Sequence, residues 1–177
     1  MKTKLNQSKL KLAIVSAMLV GSAGFSTAGY AGTDTATMSV STAVSMSCTI
    51  AAGAMTFASY DPTATADNDA TATITSTCTA GGAAVITMGQ GTNPQSGSST
   101  AAPVRAMSSG GEVPEILLYQ LSMGSAGGTA WGDTDATGQA ITADGTAQPF
   151  TVYGRIGKNQ TVSSLAFTDS VTVTLSY

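Results

Sequence analysis

The chain has 177 residues, 42% hydrophobic but only 6% aromatic, with seven Lys and Arg against ten Asp and Glu and no histidine. Without an imidazole, a Ser-His-Asp triad and a His-based zinc site are excluded, and no G-x-S-x-G nucleophile elbow occurs. The length suits one domain behind a targeting segment. Abundant Ala, Thr, Ser and Gly would suit a disordered stalk, but the alternating apolar segments taken in order below would not.

Lys2, Lys4, Lys9 and Lys11 form a basic run, Leu12 to Val20 an apolar one, and the small residues of STAGYA offer cleavage after Ala28 or Ala31. This is the layout of a secretory signal peptide over residues 1–31. The apolar run is far short of the ~20 residues that cross a bilayer, so the chain is expected to be exported rather than membrane-spanning. Beyond Ala31 there remain Arg105, Arg155 and Lys158 against ten acids, a net charge of −7. Nucleic acid is disfavoured as a partner, because phosphate binding needs a basic footprint.

Next comes Met38 to Ile50, MSVSTAVSMSCTI, with Met38, Val40, Thr42, Val44, Met46, Cys48 and Ile50 at even positions and small polar residues or Ala between them. The two-residue period places one face in a core and the other in water. Thirteen extended residues reach about 43 Å, whereas a typical strand spans about 17–20 Å. Either the strand crosses between sheets or its first part leaves its own domain and pairs elsewhere. Cys48 and Cys78 lie in an exported chain without Cys-x-x-Cys spacing, so a structural disulfide is expected, contributing about 3–4 kcal/mol on the loop-entropy account.

Further strands are predicted at AMTFASYDP, where Met55, Phe57 and Ser59 alternate before an Asp61-Pro62 turn, at ATATITSTC (70–78), and at AAVITMG after Gly81-Gly82. A long Gly-, Ser- and Pro-rich loop follows, of a length that is often functional. ILLYQLSM (116–123) is apolar on both faces, as in a strand buried on both sides. PFTVYGRIG (149–157) resumes the pattern. SVTVTLSY closes the chain, with Val171, Val173, Leu175 and Tyr177 on one face and Ser170, Thr172, Thr174 and Ser176 on the other. About seven strands and no amphipathic helix indicate an all-β, immunoglobulin-like sandwich.

An uncharged, alternating edge of this kind aggregates unless it is covered. The opening stretch offers a surplus alternating strand and the closing one an open edge. Two arrangements follow: the N-terminal strand folds back on its own domain, or it completes the next molecule and builds a head-to-tail filament.

Several motifs together resemble the spore coat protein U domain family: CTI (48–50), Phe57 and Tyr60 before a proline turn, Cys78 ending a strand, Arg105-Ala-Met107, LLYQL (117–121), Trp131-Gly132-Asp133, VYGRI (152–156) and the terminal DSVTVTLSY. The resemblance runs from about Thr37 to Tyr177. That family includes pilins of archaic, Csu-type chaperone-usher systems. It implies an incomplete immunoglobulin-like sandwich over 43–177, completed by donor-strand exchange, with a periplasmic chaperone, an outer-membrane usher and neighbouring copies of the chain as partners. The donor would lie in the 32–42 extension, among Thr35 to Thr42, with Met38, Val40 and Thr42 facing the groove, and Val44 to Ile50 would be the domain's first strand. Val171, Val173, Leu175 and Tyr177 would border the acceptor groove and meet the chaperone. The sequence departs from the family at Phe167, where a tyrosine is frequent, and in the Ser- and Gly-rich 91–103 loop.

The function implied is a structural subunit of a cell-surface pilus, most readily of its shaft, supporting attachment and biofilm formation. A spore-coat-type structural protein, a tip or minor adhesive subunit and a secreted binding domain remain open. Catalysis is not expected: Asp133 with Asp135 and Glu112 with Glu115 are carboxylate pairs, but loop acids are usually solvated charges. Asp61, Asp67, Asn68 and Asp69 could ligate calcium, yet they lack EF-hand spacing, and neither metal nor cofactor is expected. Trp131 either caps the sandwich end or marks an adhesive surface.

Overall fold

The computed structural model describes Gly29, residues 31–163 and residues 165–177. The basic and apolar runs of the predicted leader, and Ala28, lie outside the described residues. The chain divides into two units, Met1–Thr42 and Ala43–Tyr177. In the first, residues 31–42 carry no helix or strand and are exposed.

The second unit is built of strands: β1 (Cys48–Ala52), β2 (Asn68–Cys78), β3 (Ala83–Met88), β4 (Arg105–Ser108), β5 (Ile116–Met123), β6 (Thr129–Ala130), β7 (Gln139–Thr142), β8 (Ala147–Ile156) and β9 (Val173–Ser176), with a 3₁₀ turn at Asp135–Thr137. One sheet has the order β1-β2-β8-β5-β4, with β6 beside β5; the other is β7-β3-β9. All pairings are antiparallel.

The two-residue period explains why these segments pair as they do. In β2, Ala72, Ile74, Ser76 and Cys78 turn inward while Thr71, Thr73 and Thr77 stay in water. Its neighbour β8 buries Val152, Gly154 and Ile156 and exposes Pro149 and Thr151. The facing sheet contributes Ala84, Ile86 and Met88, and Leu121, Ile141 and Trp131 complete the core. Each large apolar side chain so buried contributes roughly 1.5–3 kcal/mol. Cys48 and Cys78 face each other in register and are joined by a disulfide.

Several expectations are corrected. The Met38–Ile50 alternation becomes a strand only from Cys48, where main-chain pairing to β2 begins; Met46 packs against the core, but Val44 is 81% exposed and does not belong to the first strand. Met55–Ser59 keeps the predicted alternation, with Met55 and Phe57 half-buried, but is no strand, because its main chain pairs with no other main chain. The last strand begins at Val173 rather than Ser170. The described residues hold nine strands rather than seven: β4, β6 and β7 are added and Met55–Ser59 is lost. Trp131 is 1% exposed and its Nε1 donates to the Ile86 carbonyl at 2.8 Å, which places it within the core and overturns the adhesive-surface reading.

Candidate functional site: an open groove between unpaired edges

Main-chain amides and carbonyls must find partners or water, so an unpaired stretch is informative. Gly53 N–H still bonds the Thr73 carbonyl, but among the described residues no main-chain group from Ala54 to Tyr60 pairs with another main-chain group. Across the sandwich edge, Asp169, Ser170 and Val171 are likewise unpaired; Thr168 on one side bridges to Ser108, and the Thr172 carbonyl on the other accepts from Gly89. Two open edges therefore face each other.

Between them runs an apolar groove. Its inner part, a cavity of about 300 Å³, is floored by Ala72, Ile74, Leu121 and Val152 and walled by Met55 and Phe57 on one side and Val171 and Val173 on the other. Its outer part, of about 860 Å³, is mixed in character, passing Ser59, Asp61 and Ser163 as well as Tyr60, Leu117 and Leu165. Met55, Phe57, Met107 and Phe167 line both parts. Gly154 makes the wall possible: a Cβ there would collide with the Met55 sulfur and stand 2.7 Å from the Phe57 ring. The groove is narrow where β1 and β9 come closest, with Cα atoms within 8 Å.

The wall is held by polar anchors. Asp169 accepts from Thr92 N–H (2.8 Å), Thr92 Oγ1 (2.6 Å), Asn93 Nδ2 (3.2 Å) and the Tyr119 hydroxyl (2.5 Å). Burial raises its proton affinity, but the bonds from Thr92 and Tyr119 outweigh that and hold the carboxyl below its usual range. Tyr119 is pushed well above the ordinary phenol value, by burial first and then by the carboxylate it donates to. Gly91, at φ +82°, lets the loop close over Asp169, since a Cβ would collide with its Oδ2. Beneath them Arg105, 1% exposed, donates to the carbonyls of Gly89 (2.8 Å), Met88 (2.8 Å) and Trp131 (2.7 Å). Burial lowers its proton affinity, and the nearby Tyr119, Asp169 and Asp133 act against that.

Residues 34–174 match the model of the Spore Coat Protein U domain. The chain belongs to that family. Protein U of Myxococcus xanthus is 37% identical over 94 residues, 53% of this chain and 52% of that protein, so the chain aligns with about half the length of this curated relative. A similar fold occurs in the crystal structure of the CsuC–CsuE chaperone–tip adhesion subunit pre-assembly complex from archaic chaperone-usher Csu pili of Acinetobacter baumannii. The TM-score is 0.54 at 18% identity, covering 76% of this chain and 40% of that one.

In this Spore Coat Protein U domain the residues expected at the acceptor edge part company. Val171 and Val173 line the groove, Leu175 packs on the core opposite Ile86, and Tyr177 is 63% exposed. Met38, Val40 and Thr42 are exposed, as is Val44. The acidic loop is engaged internally: Asp61 takes Thr63, Asp67 and Asp69 both grip Arg155, and Asn68 donates to the Ala58 carbonyl. Among the described residues no group of three or more His, Cys, Asp or Glu could hold a metal. The carboxylate pairs are spoken for as well, Asp133 by Thr87 and Glu115 by Ser163, while Asp135 and Glu112 stand exposed. Sequence reasoning did not foresee the anchors Arg105, Tyr119 and Asp169. A lone arginine between Val104 and Ala106, in a chain with so few cations, was the available signal.

Proposed function

We propose that the chain is a structural subunit of a chaperone-usher pilus, a shaft pilin that polymerises head to tail by donor-strand exchange and is carried to the cell surface, where the fibre supports attachment and biofilm formation. One observation carries the reading: two unpaired main-chain edges face each other over an apolar groove, in a chain that also exposes an alternating apolar segment of its own. Met38, Val40 and Thr42 of one copy, with Val44 extending the same face, fill the groove of the next. The division of the chain after Thr42 supports a donor extension at 32–42 and a pilin domain at 43–177, behind a leader at 1–31.

Each Val or Met side chain seated in the groove contributes about 1.5–3 kcal/mol. Each ladder bond formed adds roughly 0.5–1.5 kcal/mol. Strands flanking a third stand roughly 9.5–10 Å apart, wider than the narrow part of the empty groove, so insertion must spread the edge. A periplasmic chaperone that holds the groove open, and an outer-membrane usher that hands the subunit on, answer that need. The fold shared with a chaperone-bound pilus subunit complex supports the chaperone as partner.

The test is electrophoresis of material sheared from cells, with and without heating in detergent. A ladder of multiples that collapses on heating is expected, and Met38→Asp or Val40→Asp should abolish it while leaving a disulfide-bonded monomer. A single monomer band from the unaltered chain, or a normal ladder from both variants, overturns the reading. A coat-type structural role is the second reading, favoured by the identity shared with Protein U; fibres confined to dormant cells would select it.

A further inference from the structure

The exposed large hydrophobic side chains of the described residues fall into two groups plus Tyr177: Met38, Val40 and Val44 in the donor region, and Val113 (90% exposed), Leu165 (55%) and Leu118 (43%). The second group lies far apart in sequence but at one pole. Glu115 accepts from the Ser163 N–H and hydroxyl, which brings the 109–115 turn beside Ser163 and its near neighbour Leu165. The Gln160 side chain accepts from Leu118 N–H at 2.7 Å and donates to the Leu118 carbonyl at 2.9 Å, which brings β5 to the same place. Leu165 also lines the outer part of the groove. The opposite pole holds Met46, the Cys48–Cys78 bridge and the turns at 79–82 and 143–146.

Resting on the donor-strand reading, chain length then sets a distance. Val44 is the last exposed residue of the donor face, while Met46 already packs in its own domain against Gly82. Two residues of extended chain span at most about 7 Å. Consecutive domains must therefore touch. A copy's own extension leaves from its Cys48 pole, so the incoming donor has the other pole to leave by, past Tyr60 and Leu165. The next copy's Cys48 pole is then set against Val113, Leu118 and Leu165. Its turns there, Thr79-Ala80-Gly81-Gly82 and Asp144-Gly145-Thr146, are small-chained and carry one charge, a surface an apolar patch can meet closely.

We infer that Val113, Leu118 and Leu165 form a contact surface between consecutive subunits at the outer mouth of the groove, occupied by the Cys48 pole of a second copy and governing how stiffly the joint is held. The test uses Val113→Cys in the full chain. Maleimide should label the introduced thiol at least tenfold more slowly in fibres than in the unpolymerised Val40→Asp background. Pairing Val113→Cys with Ala80→Cys or Thr146→Cys should give heat-resistant, reductant-sensitive multimers. Val113→Ser with Leu118→Ser, neither of which lines the groove, should leave the heat-sensitive ladder intact and yield visibly more curved fibres.

A normal ladder with an unprotected thiol at position 113 and straight fibres overturns the contact and leaves donor exchange standing. Absence of any ladder from the unaltered chain overturns donor exchange itself. Loss of chaperone-bound subunit in the Val113→Ser, Leu118→Ser variant would assign the patch to the chaperone and overturn the contact between copies.

Discussion

Asp169 joins three parts of the molecule: the groove wall it belongs to, the loop that donates through Thr92 and Asn93, and β5 through Tyr119. Because its folded proton affinity is below the ordinary carboxylate value, the stability it contributes is fully present above about pH 4 and is lost as pH falls through the lower folded value. Urea unfolding followed from pH 6 downward should show the midpoint dropping in that window. Asp169→Asn should flatten this part of the profile and cost about 1–3 kcal/mol at neutral pH, since several donors lose a charged acceptor. Asp61, Asp69, Glu115 and Asp144 are also held low, by bonds from Thr63, Arg155, Ser163 and Thr146, but they stand in solvent, where such pairs contribute little. A profile unchanged by Asp169→Asn would remove the carboxylate from the wall's support.

At the level of elements, the groove exists because 54–60 lies against β8 through Met55 and Phe57 without gaining a main-chain partner. Gly154→Val should drive Met55 and Phe57 into the groove. Overpacking of this kind costs about 1–3 kcal/mol, and the heat-sensitive ladder should fall away even though a soluble, disulfide-bonded domain remains. Replacing Cys48 and Cys78 by Ser should lower stability by about 3–4 kcal/mol, read from the urea midpoint of the monomer. The alternation of Met55 and Phe57 was legible, and so were β2, β3, β5 and β8, because a two-residue period reports which face is buried. What the period does not report is whether a neighbour's main chain lies alongside. That is why 55–59 was read as a strand, and why β1 was drawn too long by including Val44. β4, β6 and β7 are two to four residues long and owe their form to the strands they pair with, so local pattern could not announce them. Trp131 followed the same rule: the sequence left open a cap over the sandwich end and an adhesive surface, whereas the Ile86 carbonyl and the core draw it inward.

On the scale of the whole molecule, a fibre built by the proposed donor exchange would be one chain's strand in another chain's sheet at every joint. Its durability would lie in the barrier to withdrawing a strand from a closed groove. Sheared fibres should therefore resist detergent at room temperature and release monomers over a steep temperature range, a transition that gel electrophoresis after stepwise heating will locate. The scarcity of cations has a practical consequence of another kind. Arg105 is sealed in the core and Arg155 is clamped by Asp67 and Asp69, which leaves Lys158 as the exposed cation among the residues of 43–177. Digestion with trypsin should cut the native domain at Lys158 or not at all, and an amine-directed dye should mark each mature domain at that side chain, beside whatever amino terminus processing leaves. Decorated that way, a fibre would carry an evenly spaced beacon at Lys158 of every subunit, a ruler for its own repeat.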